Sequence, residues 1–252
     1  MQYRMDLMSW MDFKSAVKQQ KVVILPVGSL EQHGPHLPLG TDTIIAVGIG
    51  ERVAKKIGAV VAPAISYGFK PQPGSSGGNG FSGTCSLDGQ TLTLLIKGVV
   101  RELIRHGVRR ILILDGHYEN SLFINEAVDL ALEDLPASKR VKVVIARWFD
   151  LIPNSIFVKH FGRQFEGMMY EHASKVESSM MMVLSRENVQ ASKMKDDRPS
   201  KRENYTVLPE SDEFIPKSGV LSSVFPSSVE AGEEIVDCAV GQIVEVVRKE
   251  FS

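Results

Sequence analysis

Histidine and carboxylate side chains concentrate at two places in the chain, and together they offer the ligands of a metal site. Glu31, His33 and Asp42 stand in one loop rich in glycine and proline, directly after an apolar run. His117 and Glu119 stand two residues apart after another apolar run. Imidazole and carboxylate in this combination suit Zn²⁺ or Mn²⁺. Because one carboxylate can bridge two ions about 3.5–4 Å apart, the clusters predict a site for two such ions.

The elements that must position these side chains alternate in type. Short β-branched runs predict strands buried on both faces, and stretches of helical period separate them. The predicted strands span 22–27, 60–64, 111–114 and 141–146, and the predicted helices follow Asp42 or span 92–104 and 120–132. This alternation predicts an α/β fold with a mostly parallel sheet between two helical layers. Since ligands bind outside the carboxyl ends of parallel strands, the two clusters should meet in one crevice.

The remaining segments are predicted to be structural. Ser9 with Asp12 and Ser227 with Glu230 have the spacing of a capping box, and the second pair opens a C-terminal helix. The polar segment 192–218 is predicted to be a surface excursion that takes part in an interface or covers a site. No internal repeat or long linker divides the chain, so one domain over residues 1–252 is expected.

Composition excludes several classes of function. The 252 residues carry 29 Lys and Arg against 30 Asp and Glu, which leaves no basic field for nucleic acid. No apolar run reaches the 18 or so residues that span a bilayer, and the first residues lack a secretory signal. Two cysteines cannot build a disulfide framework. We expect a cytoplasmic protein with no nucleic-acid or membrane partner.

Other polar residues near the clusters have weaker claims to a functional role. His36 is interpreted as a neighbour of the ligands, His172 as part of a helix, and Glu171 as solvated. His106 and His160 are interpreted as structural. Residues 74–78 match the G-x-S-x-G pattern of a serine nucleophile, but no strand precedes them and no helix follows. This glycine-rich loop is therefore predicted to be either a backbone cradle for a small polar ligand or a spacer.

Longer motifs around the same residues resemble the creatininase (creatinine amidohydrolase) family over about residues 10–190. The most specific of them is the Glu31-Gln32-His33-Gly34 loop with Asp42 after it. The other matching stretches are Gly77-Gly78-Asn79, Gly83-Thr84, Ser86-Leu87-Asp88-Gly89, Arg101-Glu102-Leu103, Gly116-His117-Tyr118-Glu119-Asn120-Ser121 and Glu171-His172. The resemblance implies a three-layer α/β/α fold and assembly as a homohexamer.

The resemblance also implies a role for each site residue. One metal ion would be held by Glu31, Asp42 and His117, and a second by His33, Asp42 and Glu119, with Asp42 bridging. His172 would be the catalytic histidine. The substrate contacts would come from Ser75, Tyr118 and Trp148.

One departure from the family pattern concerns the substrate. Creatininases carry a Trp-Asp pair a few residues before the catalytic histidine, and the tryptophan covers the substrate. Here Met168 and Met169 stand in its place. Methionine can still form an apolar cover because it adapts to irregular gaps.

The reaction predicted from these features is hydrolysis of a C–N bond in a small cyclic amide, with creatinine plus water giving creatine as the leading case. Divalent ions lower the pKa of bound water, Glu119 would shuttle its proton, and His172 would deliver the proton to the departing nitrogen. One alternative keeps the two Zn²⁺ or Mn²⁺ ions and changes the substrate to another small amide or a formamide. A second alternative is a metal-containing binding protein without catalysis.

Overall fold

Four parallel strands in the order β2–β1–β3–β4 form the centre of the molecule. The structure is a computed structural model that describes residues 2–72, 78–133, 135–136, 140–197 and 215–252. The strands are β1 (Val23–Val27), β2 (Val60–Val61), β3 (Arg110–Asp115) and β4 (Lys142–Arg147). The sequence places all four within a few residues, but β2 ends early. Pro63 has no N–H to continue the ladder beyond Ala62, whose N–H still donates to the Ile24 carbonyl at 2.8 Å.

Helices cover both faces of this sheet. They are α1 (Trp10–Lys18), α2 (Thr41–Ile57), α3 (Gly89–Arg105), α4 (Ser121–Leu132), α5 (Asn154–Phe161), α6 (Lys175–Leu184) and α7 (Val229–Phe251). Side chains alternate along each strand, so Ile24 packs with α2, α5, α6 and α7, while Leu25 packs with α1, α3 and α4. This confirms the predicted three-layer α/β/α fold.

The two predicted capping boxes have different outcomes. At α1, Asp12 N–H donates to Ser9 Oγ and Ser9 N–H donates to the Asp12 carboxylate, each at 3.2 Å, so this box is confirmed. At α7 the prediction is wrong by one residue, because Ser228 accepts from Ala231 N–H at 3.1 Å. The Ser227 hydroxyl instead donates to the Val224 carbonyl, which removes it from the helix end.

Two further features bear on the sequence predictions. The polar segment 192–218 is described only at its ends, which meet where Ser218 N–H donates to Asp197 Oδ2 at 2.8 Å. Residues 198–214, which make up most of that segment, lie outside the described part. Within the described part, no helix is both long and apolar enough to cross a bilayer.

Candidate metal centre and active site

The strand register brings the functional loops to one edge of the sheet. Val27 of β1 pairs with Asp115 of β3, and Asp115 pairs with Arg147 of β4. The chain therefore leaves all three strands at the same level, and the loops that carry the two predicted clusters open into one crevice. Asn120 joins two of these loops, since its Nδ2 donates to the Gly28 carbonyl at 3.0 Å and its Oδ1 accepts from Phe69 N–H at 2.8 Å.

Asp42 lies at the centre of this crevice. Its Oδ1 is 3.0 Å from His33 Nε2, and its Oδ2 is 3.0 Å from His117 Nδ1. The carboxylate stands in the first turn of α2, where the positive end of the helix dipole favours negative charge. Gly116 permits the close approach of β3, because a Cβ at that position would lie 2.7 Å from the Asp42 carbonyl oxygen.

The ligand atoms form two groups that share Asp42. Glu31 Oε1 lies 3.1 Å from His117 Nδ1, which completes the group Glu31, Asp42 and His117. Glu177 Oε2 lies 3.7 Å from His33 Nε2, which completes the group His33, Asp42 and Glu177. Within each group the ligand atoms all lie within 4.8 Å of one another, and all of these residues are buried. We call these five residues the floor of the site.

The donor set of the floor fits divalent cations. Glu31 Oε2, His33 Nε2 and Asp42 Oδ2 are buried, and none makes a hydrogen bond of good geometry among the described residues, although His33 Nε2 and Asp42 Oδ2 each lie 3.0 Å from a polar atom. Buried polar atoms are rarely left in this state, because each would lose its interaction with water without replacement. Zn²⁺ and Mn²⁺ bind to mixed sets of imidazole and carboxylate ligands whose unshared electron pairs point at a common centre.

The electrostatics of the floor support the same conclusion. Burial alone would lower the pKa of His33, but Asp42 and Glu177 raise this pKa to about 10. Burial also raises the pKa of Glu31 to about 7, against the opposing effect of His117. The carboxylates thus concentrate negative charge in a buried place, where the charged form of a carboxyl is unfavourable. Bound cations would neutralise that charge.

Glu119 does not occupy the place that the sequence analysis gave it. Its Oε2 lies 3.4 Å from His117 Nε2, on the side of the imidazole away from Asp42, and its Oε1 lies 3.4 Å from Gln72 N. The carboxylate grouped with His33 and Asp42 is that of Glu177, in the first turn of α6. From the sequence, His172 was interpreted as part of a helix. In one helix, His172 and Glu177 would point in different directions because they are five residues apart, so Glu177 was given no role at the site.

His172 lies outside any helix and faces the floor. It precedes α6, and its ring centroid lies 4.3 Å from that of His33, with the two rings tilted by 34°. Its Nδ1 is 3.7 Å from Glu31 Oε1, and its Nε2 is 2.8 Å from the Gln32 carbonyl oxygen. Burial, aided by the positive charge of His33, keeps the pKa of His172 well below its usual range. The ring is therefore held in its neutral form.

A pocket opens above the floor to solvent. Trp148 forms a buried wall, with its ring edge-on to Phe149 at 5.4 Å between centroids. We call the more exposed lining residues Tyr118, Met168, Met169 and Glu171 the rim. Tyr118 and Trp148, which were expected to contact substrate, thus both line the pocket. Ser75, the third expected contact, lies outside the described residues.

Glu171 differs from its prediction as a solvated residue. It lines the pocket, and its Oε2 accepts from Val176 N–H at 3.0 Å. This backbone donor is one of the free N–H groups of the first turn of α6, so it draws the carboxyl inward. Burial raises the pKa of Glu171 to about 8, and the charge of Glu177 adds to this shift.

The other histidines lie where the sequence placed them or close by. His36 is buried beside the site, with its Nε2 2.8 Å from Ser178 Oγ, and it belongs to neither ligand group. His106 ends α3, and His160 contacts Glu234 at 2.7 Å on the surface between α5 and α7. None of these three residues lines the pocket.

A family model and a similar protein of known activity point to the same family. The family model described as creatinine amidohydrolase matches residues 6–247. A creatinine amidohydrolase of Pseudomonas putida is 38% identical over 248 residues, which is 97% of this chain and 95% of the relative. A mycofactocin precursor peptide peptidase of Mycolicibacterium smegmatis is 40% identical over 115 residues, which is 43% of this chain and 44% of the relative.

Solved structures agree with these relatives. One is a creatininase described as the Mn form, with a TM-score of 0.96. Two others are mutant creatininases with TM-scores of 0.95, one of Zn-Zn type and one complexed with creatine. Each is 37% identical and covers 100% of this chain and 99% of its own. The fold and the family resemblance drawn from the sequence motifs are therefore confirmed.

Proposed function

Because the chain belongs to the creatininase family, we propose that it hydrolyses creatinine to creatine with two divalent ions, Zn²⁺ or Mn²⁺. The observation that carries this proposal is the placement of Asp42, whose two oxygens each lie 3.0 Å from the imidazole of a different ligand group. A carboxylate so placed can bridge two ions. The Zn-Zn and Mn forms of similar creatininases support the choice of metals.

We assign Glu31, Asp42 and His117 to one ion, and His33, Asp42 and Glu177 to the other. Glu177 replaces Glu119 in the second set because it is the carboxylate within reach of both His33 and Asp42. Glu119 remains beside His117, at the pocket, where it can accept a proton. His172 also lies within reach of Glu31 and His33, but we assign it to proton transfer.

Bound divalent ions would polarise the carbonyl group and lower the pKa of water. The protein supplies the geometry and the proton transfers. Water adds to the ring carbonyl carbon, the ring C–N bond breaks, and the departing nitrogen takes up one proton. Glu119 accepts the proton of the attacking water, and this proton passes to His172, which delivers it to the departing nitrogen.

The walls of the pocket orient a small planar substrate. Trp148 and Phe149 form an apolar side, and Tyr118 and Met168 enclose the opening. A similar mutant creatininase complexed with creatine supports a substrate of this size.

We further propose that the protein is a homohexamer in the cytoplasm. The resemblance to creatininases supports the assembly, and exposed apolar side chains such as Trp10 and Leu122 offer contact area. Light scattering should give a multiple of 27.8 kDa at micromolar concentration. A mass equal to that of one chain would contradict the assembly and leave the proposed reaction standing.

The second candidate function keeps the metals and changes the substrate to another small amide. Met168 and Met169, which stand where the family pattern has Trp-Asp, favour this alternative because they remove an aromatic ring and a charge from the rim. The similarity to a peptide peptidase also supports a range of amide substrates for this floor.

The deciding experiment is an assay of the purified protein, loaded separately with Zn²⁺ and Mn²⁺, on creatinine and on a panel of lactams, hydantoins and formamides. Creatine formation that chelation abolishes and metal restores is the expected result. Turnover of another amide without creatinine turnover would favour the second candidate. Metal binding without any turnover would favour a binding protein.

A further inference from the structure

Glu171 stands apart from the other carboxylates of the pocket. Among the described lining residues, Glu31, Asp42 and Glu177 belong to the floor, and Glu119 contacts His117. Glu171 lies in neither ligand group and lines the rim beside Met168 and Met169. The proposed reaction assigns it no step.

The carboxyl of Glu171 is held with one oxygen occupied. Val176 N–H donates to Oε2 at 3.0 Å, and this bond ties the side chain to the first turn of α6. Among the described residues, the hydrogen bond seen on Glu171 is this one to Oε2, the charge of Lys175 also acts on the carboxyl, and Glu171 lines the pocket. A pocket-lining carboxyl with a fixed position is suited to bind a ligand that carries N–H groups.

We propose that Glu171 binds the amidine part of the substrate and selects cyclic amides that carry such a group. This inference rests on the proposed function and names the substrate class within it. An amidine presents both a donor and an acceptor nitrogen, so it pairs with the carboxyl whichever partner holds the proton. A carbonyl at the same place offers only an acceptor. In creatinine this N=C–N unit is part of the guanidine group of the ring. In 1-methylhydantoin a carbonyl oxygen replaces the imine nitrogen, and the rest of the ring is the same.

The test compares these two rings on wild type and Glu171→Gln. In the variant, the amide oxygen can keep the bond from Val176, so an NH₂ group takes the place of Oε1. We expect the KM of creatinine to rise roughly 10- to 100-fold, which is the effect of leaving a buried donor or acceptor without its hydrogen-bond partner. The change in kcat should be small, and KM for 1-methylhydantoin should stay the same or fall. Creatinine binding to the zinc-loaded protein, measured by calorimetry, should weaken by the same factor.

Two further variants make the result interpretable. Glu233→Gln, at an exposed glutamate of α7 that does not line the pocket, should behave as wild type. Should Glu171→Gln not fold, Glu171→Asp retracts the carboxyl by one methylene, and it should raise the KM of creatinine without affecting 1-methylhydantoin.

Unchanged creatinine binding, or an equal loss for both rings, would overturn the role of Glu171. The proposed function fails differently, when wild type turns over neither ring while its metals are bound.

Discussion

The floor and the rim of the site are built in opposite ways. The floor residues are at most 7% exposed, and their ligand atoms converge within a few ångströms of Asp42. At the rim, Tyr118 is 52% exposed and Met169 is 58% exposed. A change at the floor therefore leaves buried charges without partners, whereas a change at the rim alters mainly the contact area offered to a ligand. The difference implies that the floor determines the reaction and the rim determines the substrate.

Asp42→Asn should have the largest effect, because both ions would share this carboxylate. We expect the variant to lose both metals and all activity, whereas Glu31→Gln should lose mainly one ion. Metal content by elemental analysis and turnover on creatinine measure the two effects. Full activity in a metal-free sample would remove the basis for the floor, and equal metal loss in both variants would argue only against bridging.

Glu177→Gln should have the next largest effect. Its carboxylate completes the second ligand group, so the variant should purify with one ion in place of two and with most activity lost. Glu119→Gln should keep both ions and lose rate, because Glu119 contacts His117 on the side of the ring away from Asp42. If the metal losses are reversed between these two variants, the assignment made from the sequence resemblance is correct and ours is wrong.

His172→Ala separates metal binding from proton transfer. The ring lies at the floor but is assigned no metal, so metal content should stay close to that of wild type. The value of kcat should fall by roughly 10²–10⁴, the usual contribution of acid–base catalysis. A variant that purifies with one ion missing would show that His172 is a ligand, which its place beside Glu31 and His33 also allows.

The sequence predicted the fold and most of the floor for a physical reason. Short β-branched runs such as 22–27 are typical of strands buried on both faces, and a parallel sheet of such strands brings its carboxyl ends to one edge. Glu31, His33, Asp42 and His117 follow those ends within the sequence, so their convergence could be inferred.

The rest depends on contacts that local sequence does not report. Glu177 joins the floor because α6 begins only at Lys175. His172 therefore lies in the non-helical chain before the helix, and both side chains can reach the site. The spacing of the two residues gave no sign of this. The inward turn of Glu171 likewise depends on a free N–H at the start of α6. Helix boundaries, which sequence patterns define poorly, therefore decided which carboxylates reach the site.

Met168→Trp should have the smallest effect, and it tests whether the rim selects the substrate. Met168 is half-buried, packs against the core on the α7 side of the sheet, and lines the pocket. A tryptophan there would stack on a planar ring, and such a contact adds about 0.5–1.5 kcal/mol beyond area burial. If creatinine is the substrate, its KM should fall several-fold in the variant, with little change in kcat. Met168→Leu keeps the area without the aromatic face and should resemble wild type.

Trp148 provides the matching comparison from the wall of the pocket. It is 1% exposed and packs edge-on against Phe149, so Trp148→Ala removes both a substrate contact and part of the core. This variant should lose more activity and more thermal stability than Met168→Ala, and a thermal melt read beside KM separates the two losses. Suppose that neither wild type nor Met168→Trp turns over creatinine, while both hydrolyse another small amide. The methionines would then indicate that the enzyme is specific for a different substrate. The same floor would then perform the same chemistry on a substrate that the rim selects.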